Sequence, residues 1–282
     1  MEKIVATESA GNPPRPTPDE RRSGVAWPAQ SLNCSYSFAL LGRFAARSAA
    51  GDWPQMEGRR LQQIVAYLLL FGDRPHHRDV LSATLWTESD PKQSRKNLRQ
   101  SIWQLQKLPE KAGRSTPLLL TEKDWIQIDP AVVWLDVAQL ERSYDRVRTV
   151  APEQIGESEA QVLMNAADLY QGDLLAGWDE DWCVRERERL RALYVSLLEK
   201  LVGWCEATNR LEAGLAYGHI LLEHDRAHER AHRRVMRLHH LSGNRTGALR
   251  QFEKCRTALD EELGVEPGRL TRSLYEEICS SG

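Results

Sequence analysis

The stretch Pro91-Lys92-Gln93-Ser94-Arg95-Lys96-Asn97-Leu98-Arg99-Gln100-Ser101-Ile102-Trp103-Gln104-Leu105-Gln106-Lys107-Leu108 decides how this 282-residue chain is read. Asp90 stands where an N-cap belongs and Pro91 at the first helical position, so a helix is predicted from Pro91 to Leu108, just before Pro109. At 3.6 residues per turn, Leu98, Ile102 and Leu105 share the face that must pack on a core. The opposite face carries Lys96, Gln100, Trp103 and Lys107, flanked by Arg99 and Gln104, and the whole stretch holds no carboxylate. Long cations suit phosphates and guanine, and glutamine amides match adenine. Lys92 and Arg95, nearer the helix start, are better placed for phosphate than for bases. Trp103 has two readings: packing on thymine methyls, or on a neighbouring domain.

Working outward, Arg59 to Phe71 places Leu61, Ile64, Val65, Leu68 and Leu69 at helical spacing and ends at Gly72-Asp73-Arg74-Pro75. A second helix fits Arg78 to Trp86. Before them, Tyr36 to Met56 reads as short strands in hairpins, broken by Gly42, Gly51 and Pro54. After Gly113, Leu118-Leu119-Leu120, a polar turn and Trp125-Ile126-Gln127-Ile128 read as a hairpin with Lys123 at its tip, a candidate contact weakened by Glu122 and Asp124 beside it. Strand, three helices, hairpin is the element order of a winged helix-turn-helix, whose third helix enters a major groove.

From about Pro152 the pattern is helical. Asn209-Arg210, Ala213 and Tyr217 recur as Asn244-Arg245, Ala248 and Phe252 with a spacing of 35, close to the 34-residue period of tetratricopeptide hairpins. The predicted fold is therefore mainly α: an N-terminal α+β winged helix-turn-helix followed by an all-α tetratricopeptide-like domain. The expected boundaries are a disordered, proline-rich leader over 1–35, the winged helix over 36–135, a connecting helix over 136–151 and the repeat domain over 152–282.

Net charge is −2, but residues 38–135 carry 14 basic and 10 acidic side chains while 150–282 carry 17 and 23. The basic excess falls on the unit that would meet a polyanion. No apolar run approaches the roughly twenty residues of a membrane helix, and Met1 to Ala10 lacks a secretory pattern, so a cytoplasmic protein is expected. Five cysteines without a C-x-x-C pair read as buried small hydrophobes. Phosphate-loop, dinucleotide, serine-hydrolase and zincin strings are missing, so neither an enzyme nor a cofactor is expected.

His228 and His232 stand at i, i+4, a spacing that can present two imidazoles to one metal, but a helix break at Asp225-Arg226 and the lack of further ligands argue against a metal site. Asp179 reads as the cap of the helix after it. Arg185-Glu186-Arg187-Glu188-Arg189 reads as an exposed or interdomain helix face, or alternatively as a site for an anionic effector.

From about Ser37 to Cys279 the chain resembles bacterial transcriptional regulators of the SARP type. The match is carried by Leu40-Leu41-Gly42-Arg43-Phe44, Val80-Leu81-Ser82-Ala83-Thr84-Leu85-Trp86, the run Asn97 to Leu105, and Val133-Trp134-Leu135-Asp136-Val137. Further on it rests on Leu169-Tyr170-Gln171-Gly172-Asp173-Leu174-Leu175, Asp181 to Arg191, and Glu261-Glu262-Leu263-Gly264-Val265-Glu266-Pro267. The resemblance implies a winged helix like that of response regulators, joined to a bacterial transcriptional activator domain. It implies promoter DNA as partner through the third helix and wing, self-association on repeated half-sites, and contact with RNA polymerase. Many relatives have arginines where this chain has Trp103, Gln104 and Gln106, so a different half-site is expected. Many also continue into an ATPase or phosphopeptide-binding domain, whereas this sequence stops fifteen residues after Pro267. The competing expectation is a protein-interaction adaptor working through its helical repeats.

Overall fold

The computed structural model describes residues 27–28, 34–48, 51–52, 56, 58–111 and 116–281. The expected leader over 1–35 lies almost wholly outside the described residues. Strand β1 (Tyr36–Ala39), buried throughout, pairs antiparallel with β2 (Ala45–Ser48), which pairs with β3 (Gly51–Asp52). The expected hairpin strands are thus present. The sheet closes with a strand that local sequence does not announce: β7 (Val133–Leu135) lies parallel to β1, Tyr36 opposite Val133. Its pairing partner is almost a hundred residues away.

Helix α1 (Arg59–Leu70) buries Ile64, Val65 and Leu68, and Phe71 caps it by donating its N–H to the Tyr67 carbonyl. A two-residue strand, β4 (His76–His77), follows, then α2 (Arg78–Leu85), with Trp86 as its cap rather than its last residue. Helix α3 spans Pro91–Lys111, three residues beyond the predicted end. Pro109 forfeits only the bond that the Leu105 carbonyl would accept, and so late in the helix this does not stop it. At its start Asp90 acts as expected: Oδ2 accepts from the Lys92 N–H at 3.0 Å. The hairpin is β5 (Leu119–Glu122) with β6 (Trp125–Ile128), and β4 adds a third strand along β6. Lys123 turns the chain with φ +46, the left-handed region.

Seven further elements are helices or lead into them: α4 (Asp136–Asp145), α5 (Glu157–Leu169), α6 (Asp181–Ala207), α7 (Leu211–His224), α8 (Glu229–Leu241), α9 (Arg245–Leu263) and α10 (Arg269–Ser280). The repeat is real, but its register is 34 residues, not 35. Positive φ falls at Asn209 and Gly243, N-caps at Arg210 and Asn244, and buried positions at Gly214, Tyr217, Gly218 and Leu221 recur at Ala248, Gln251, Phe252 and Cys255. Ala213, read as the small packing residue, is exposed. Gly214 and Gly218 take that role. A Cβ on Gly218 would stand 2.5 Å from Val235 Cγ2, and one on Gly214 2.9 Å from Leu238 Cδ1, so α7 lies against α8 with no room for a side chain.

The N-terminal and helical parts are joined through backbone. Leu41 bridges Leu174, Leu175 donates its N–H to Leu40 O at 2.8 Å, and Ala176 to Gly42 O at 2.7 Å. Gly42 sits there at φ +115, a conformation that side chains resist. Asp136, at the start of α4, holds the same loop: its Oδ2 accepts the N–H groups of Leu40 and Leu41, both at 2.8 Å. Burial pushes this carboxyl up to about 7, against the backbone donors that pull it down.

Around the bridge, Phe44 stacks on Trp178, Trp182 meets the Tyr67 ring edge-on, and the Arg59 guanidinium lies 4.0 Å from the Trp178 centroid. The expected cap at Asp179 is corrected here: the N-cap of α6 is Glu180, and its carboxylate makes no capping bond. It is drawn instead to α1, where it accepts from Arg59 and Gln63.

The cysteine reading holds for Cys183, Cys205 and Cys255, which are buried, but not for Cys34, half-buried, or Cys279, exposed. Among the described residues no helix is long and apolar enough to cross a membrane.

Candidate nucleic-acid interface

Helix α3 packs against α2 and α1 through its inner face. Leu98, Ile102, Leu105 and Leu108 are buried, and Ser94, also buried, donates from its hydroxyl to the Asp90 carbonyl at 3.1 Å. This packing fixes the rotation of the helix, so the outward residues follow from it. Lys92, Arg95, Lys96, Arg99, Gln100 and Trp103 are exposed; Gln104 and Lys107 are half-buried at the margins. Lys123 is exposed at the hairpin turn. Trp103 keeps 60% of its accessible surface, so no domain covers it among the described residues. Of its two sequence readings, interdomain packing is the one the structure removes.

The cations differ in what holds them. Arg95 donates from Nε to Asp79 Oδ1 on α2 at 2.7 Å, an ion pair more than half exposed at both ends. That pairing leaves its terminal amino groups facing outward but neutralises part of its charge. Lys92, Lys96, Arg99 and Lys123 have no carboxylate partner among the described residues.

Two features of this surface escape local sequence reading. The alternation in β6 buries Ile126 and Ile128 and turns Trp125 outward, 48% exposed and edge-on to His77 at 5.3 Å. The alternation was legible, but which phase faces solvent depends on the sheet's partner. Beside α3, Arg60 of α1 donates to Leu85 O at 2.9 Å and lines a shallow hollow with Trp86, Asn97, Gln100 and Gln104. Its sequence distance from α3 hid it.

The other candidate groups are engaged structurally. Arg187 donates to the carbonyls of Leu174, Leu175 and Trp178, and Arg189 binds Glu141 and Glu186 at 2.6 and 2.7 Å. Arg187 therefore serves the junction, Arg189 ties α6 to α4, and Arg185 is exposed. His228 is the N-cap of α8, accepting the Ala231 N–H, while His232 bonds Arg226 O and Gln251. Among the described residues no group of three His, Cys, Asp or Glu side chains is arranged to hold a metal ion.

Comparison with known proteins places this architecture. No curated protein matches the sequence. The chain is similar in fold to EmbR of Mycobacterium tuberculosis, solved in complex with a low-affinity phosphopeptide: TM-score 0.66, 21% identity, 88% of this chain covered and 66% of that one. The chain thus spans just under two thirds of that protein's length. The bacterial transcriptional activator domain matches residues 135–279, just over half of the chain and most of its helical part. The chain belongs to the bacterial transcriptional activator domain family, as a transcriptional regulator of the SARP type that its motifs resemble.

Proposed function

We propose that this protein is a sequence-specific DNA-binding regulator of transcription, acting as an activator, with α3 in the major groove and the β5–β6 hairpin as a wing on the flanking backbone. The observation that carries the reading is the open face of α3. Three unpartnered cations, Lys92, Lys96 and Arg99, with amides and an uncovered tryptophan lie opposite a fully packed apolar face, with no carboxylate between Pro91 and Leu108. In this reading Lys92, Arg95, Arg99 and Lys123 meet phosphates, Lys96, Gln100 and Gln104 reach base edges, Lys107 borders the groove, and Trp103 packs on thymine methyls. The unit over 36–135 is the DNA-binding domain, and 152–282, entered through 136–151, is the helical regulatory domain. Self-association on repeated half-sites, a touch on RNA polymerase, and residence in the cytoplasm at the nucleoid complete the proposal.

Selection from a random duplex library tests it. The full chain should enrich one half-site, and the variant Lys96→Ala with Gln100→Ala should lose discrimination among sequences. Equal binding of all duplexes by the unaltered chain would refute it.

A second reading, a protein-interaction adaptor, draws on the exposed apolar side chains Val80, Trp103 and Trp125 around α2, α3 and the hairpin. A pull-down that survives nuclease treatment, with no DNA affinity at low salt, would favour it.

A further inference from the structure

A cavity of about 320 Å³ opens where the C-terminal end of α1, strands β6 and β7, and helix α4 come together. Its walls are apolar: Leu69 and Leu70 from α1, Ile128 from β6, Val133 and Leu135 from β7, Ala138 from α4. Its polar lining is the Asp73 and Glu141 carboxylates, the Gln139 amide and the Arg142 guanidinium. Neither Asp73 nor Arg142 has an ion-pair partner among the described residues.

The space is a cleft open to solvent, its walls half-buried at Leu69, Leu70, Val133 and Ala138. It falls in the range of small-molecule sites, which combine apolar walls with a few polar groups at one end. Ala138 lines the cleft from α4 with no more than a methyl group, whereas Val137 and Leu140 on the same helix are buried in the core.

We infer that this cavity is an effector site for a small, largely apolar molecule with one neutral polar end, a phenol or an alcohol on a ring system. The apolar body excludes a sugar or nucleotide, which would lose its hydration against six hydrocarbon side chains. Glu141 is already held by Arg189 at 2.6 Å, so the groups left to a ligand are one acceptor-only carboxylate, one donor-only guanidinium and one amide that does both, which matches a hydroxyl better than a charged head. Placement gives the site a consequence. Its walls belong to the wing strand β6 and to α1, and α1 also carries Arg59 and Gln63, the partners of Glu180 across the junction. A bound molecule would bear on the wing and on the junction at once.

The test uses the full chain without DNA, so its outcome is separate from that of the DNA-binding reading. With 1-naphthol as probe, binding is followed by titration calorimetry and by methyl shifts in NMR spectra. Saturable binding is expected, with shifts centred on Leu69, Leu70, Val133 and Ala138. Ala138→Phe should abolish it by filling the space from α4. Leu69→Trp, which fills it from α1, decides the matter if the first variant does not fold. Absence of binding to the unaltered chain, or undiminished binding to the filled variant, would overturn the inference.

Discussion

Replacing Lys92 and Arg99 together by alanine removes two of the three unpartnered cations that meet phosphate in the proposed reading, Lys92, Arg99 and Lys123. Each phosphate neutralised contributes about −0.9 to the slope of log K against log salt. Three contacts give a slope of about −2.7 per protomer, so affinity should fall about 40-fold between roughly 50 and 200 mM salt. With one contact left, the slope is about −0.9 and the same change in salt costs about 3.5-fold.

Fluorescence anisotropy with a labelled duplex, at five or six salt concentrations, reads both slopes directly. Asp79→Ala supplies a check of opposite sign. Arg95 is held to Asp79 at 2.7 Å, and freeing it should steepen the slope by up to about 0.9. Both substituted sites are exposed, so loss of folding should not confuse the result. If the double variant keeps the slope of the unaltered chain, α3 is not the surface that meets phosphate.

Trp103→Ala should leave the melting temperature within about a degree, because the indole packs on little, yet weaken a specific duplex by tenfold or more; calorimetry and anisotropy on one sample check both. Gly218→Ala, which sets a methyl group against Val235, should destabilise the helical part by about 1–3 kcal/mol in chemical denaturation. Gly243→Ala, where a Cβ meets nothing but φ is +74, should cost less. Asp136 binds its proton more tightly folded, with a value of about 7, than unfolded, near 3.8. Its contribution is therefore fully present below about pH 4 and lost as pH rises through about 7. Asp136→Asn should flatten the pH dependence of unfolding free energy across that window, and an unchanged profile would show that the backbone donors already keep the carboxylate ionised.

The outward face of α3 was legible because a helix projects its sequence onto its surface at a fixed period: once Leu98, Ile102 and Leu105 are inward, Lys96, Gln100 and Trp103 can only point outward. The same holds for the Asp90 cap and for the hairpin turn at Lys123. The repeat was legible in kind but slipped by one residue. Matching letters such as Ala213 with Ala248 favoured 35, whereas close approach required the glycine one place later.

Glu180 shows the limit of local rules. By sequence the first turn of α6 is a place for caps, but Arg59 and Gln63, far earlier in the chain, claim the carboxylate. The strand β7 and the phase of Trp125 belong to the same class, since their partners come from distant segments.

What the sequence by itself determined was set by neighbours within a turn or two: helix faces, the Asp90 cap, the hairpin, and the division into a basic α+β part and an acidic helical part. Only the tertiary structure decided that Trp103 stays uncovered, that Arg187 serves the junction, and that a cavity lies between α1 and α4. These depend on contacts between residues far apart in the chain, whose existence is set by the packing of whole elements and leaves no periodic trace in the order of amino acids.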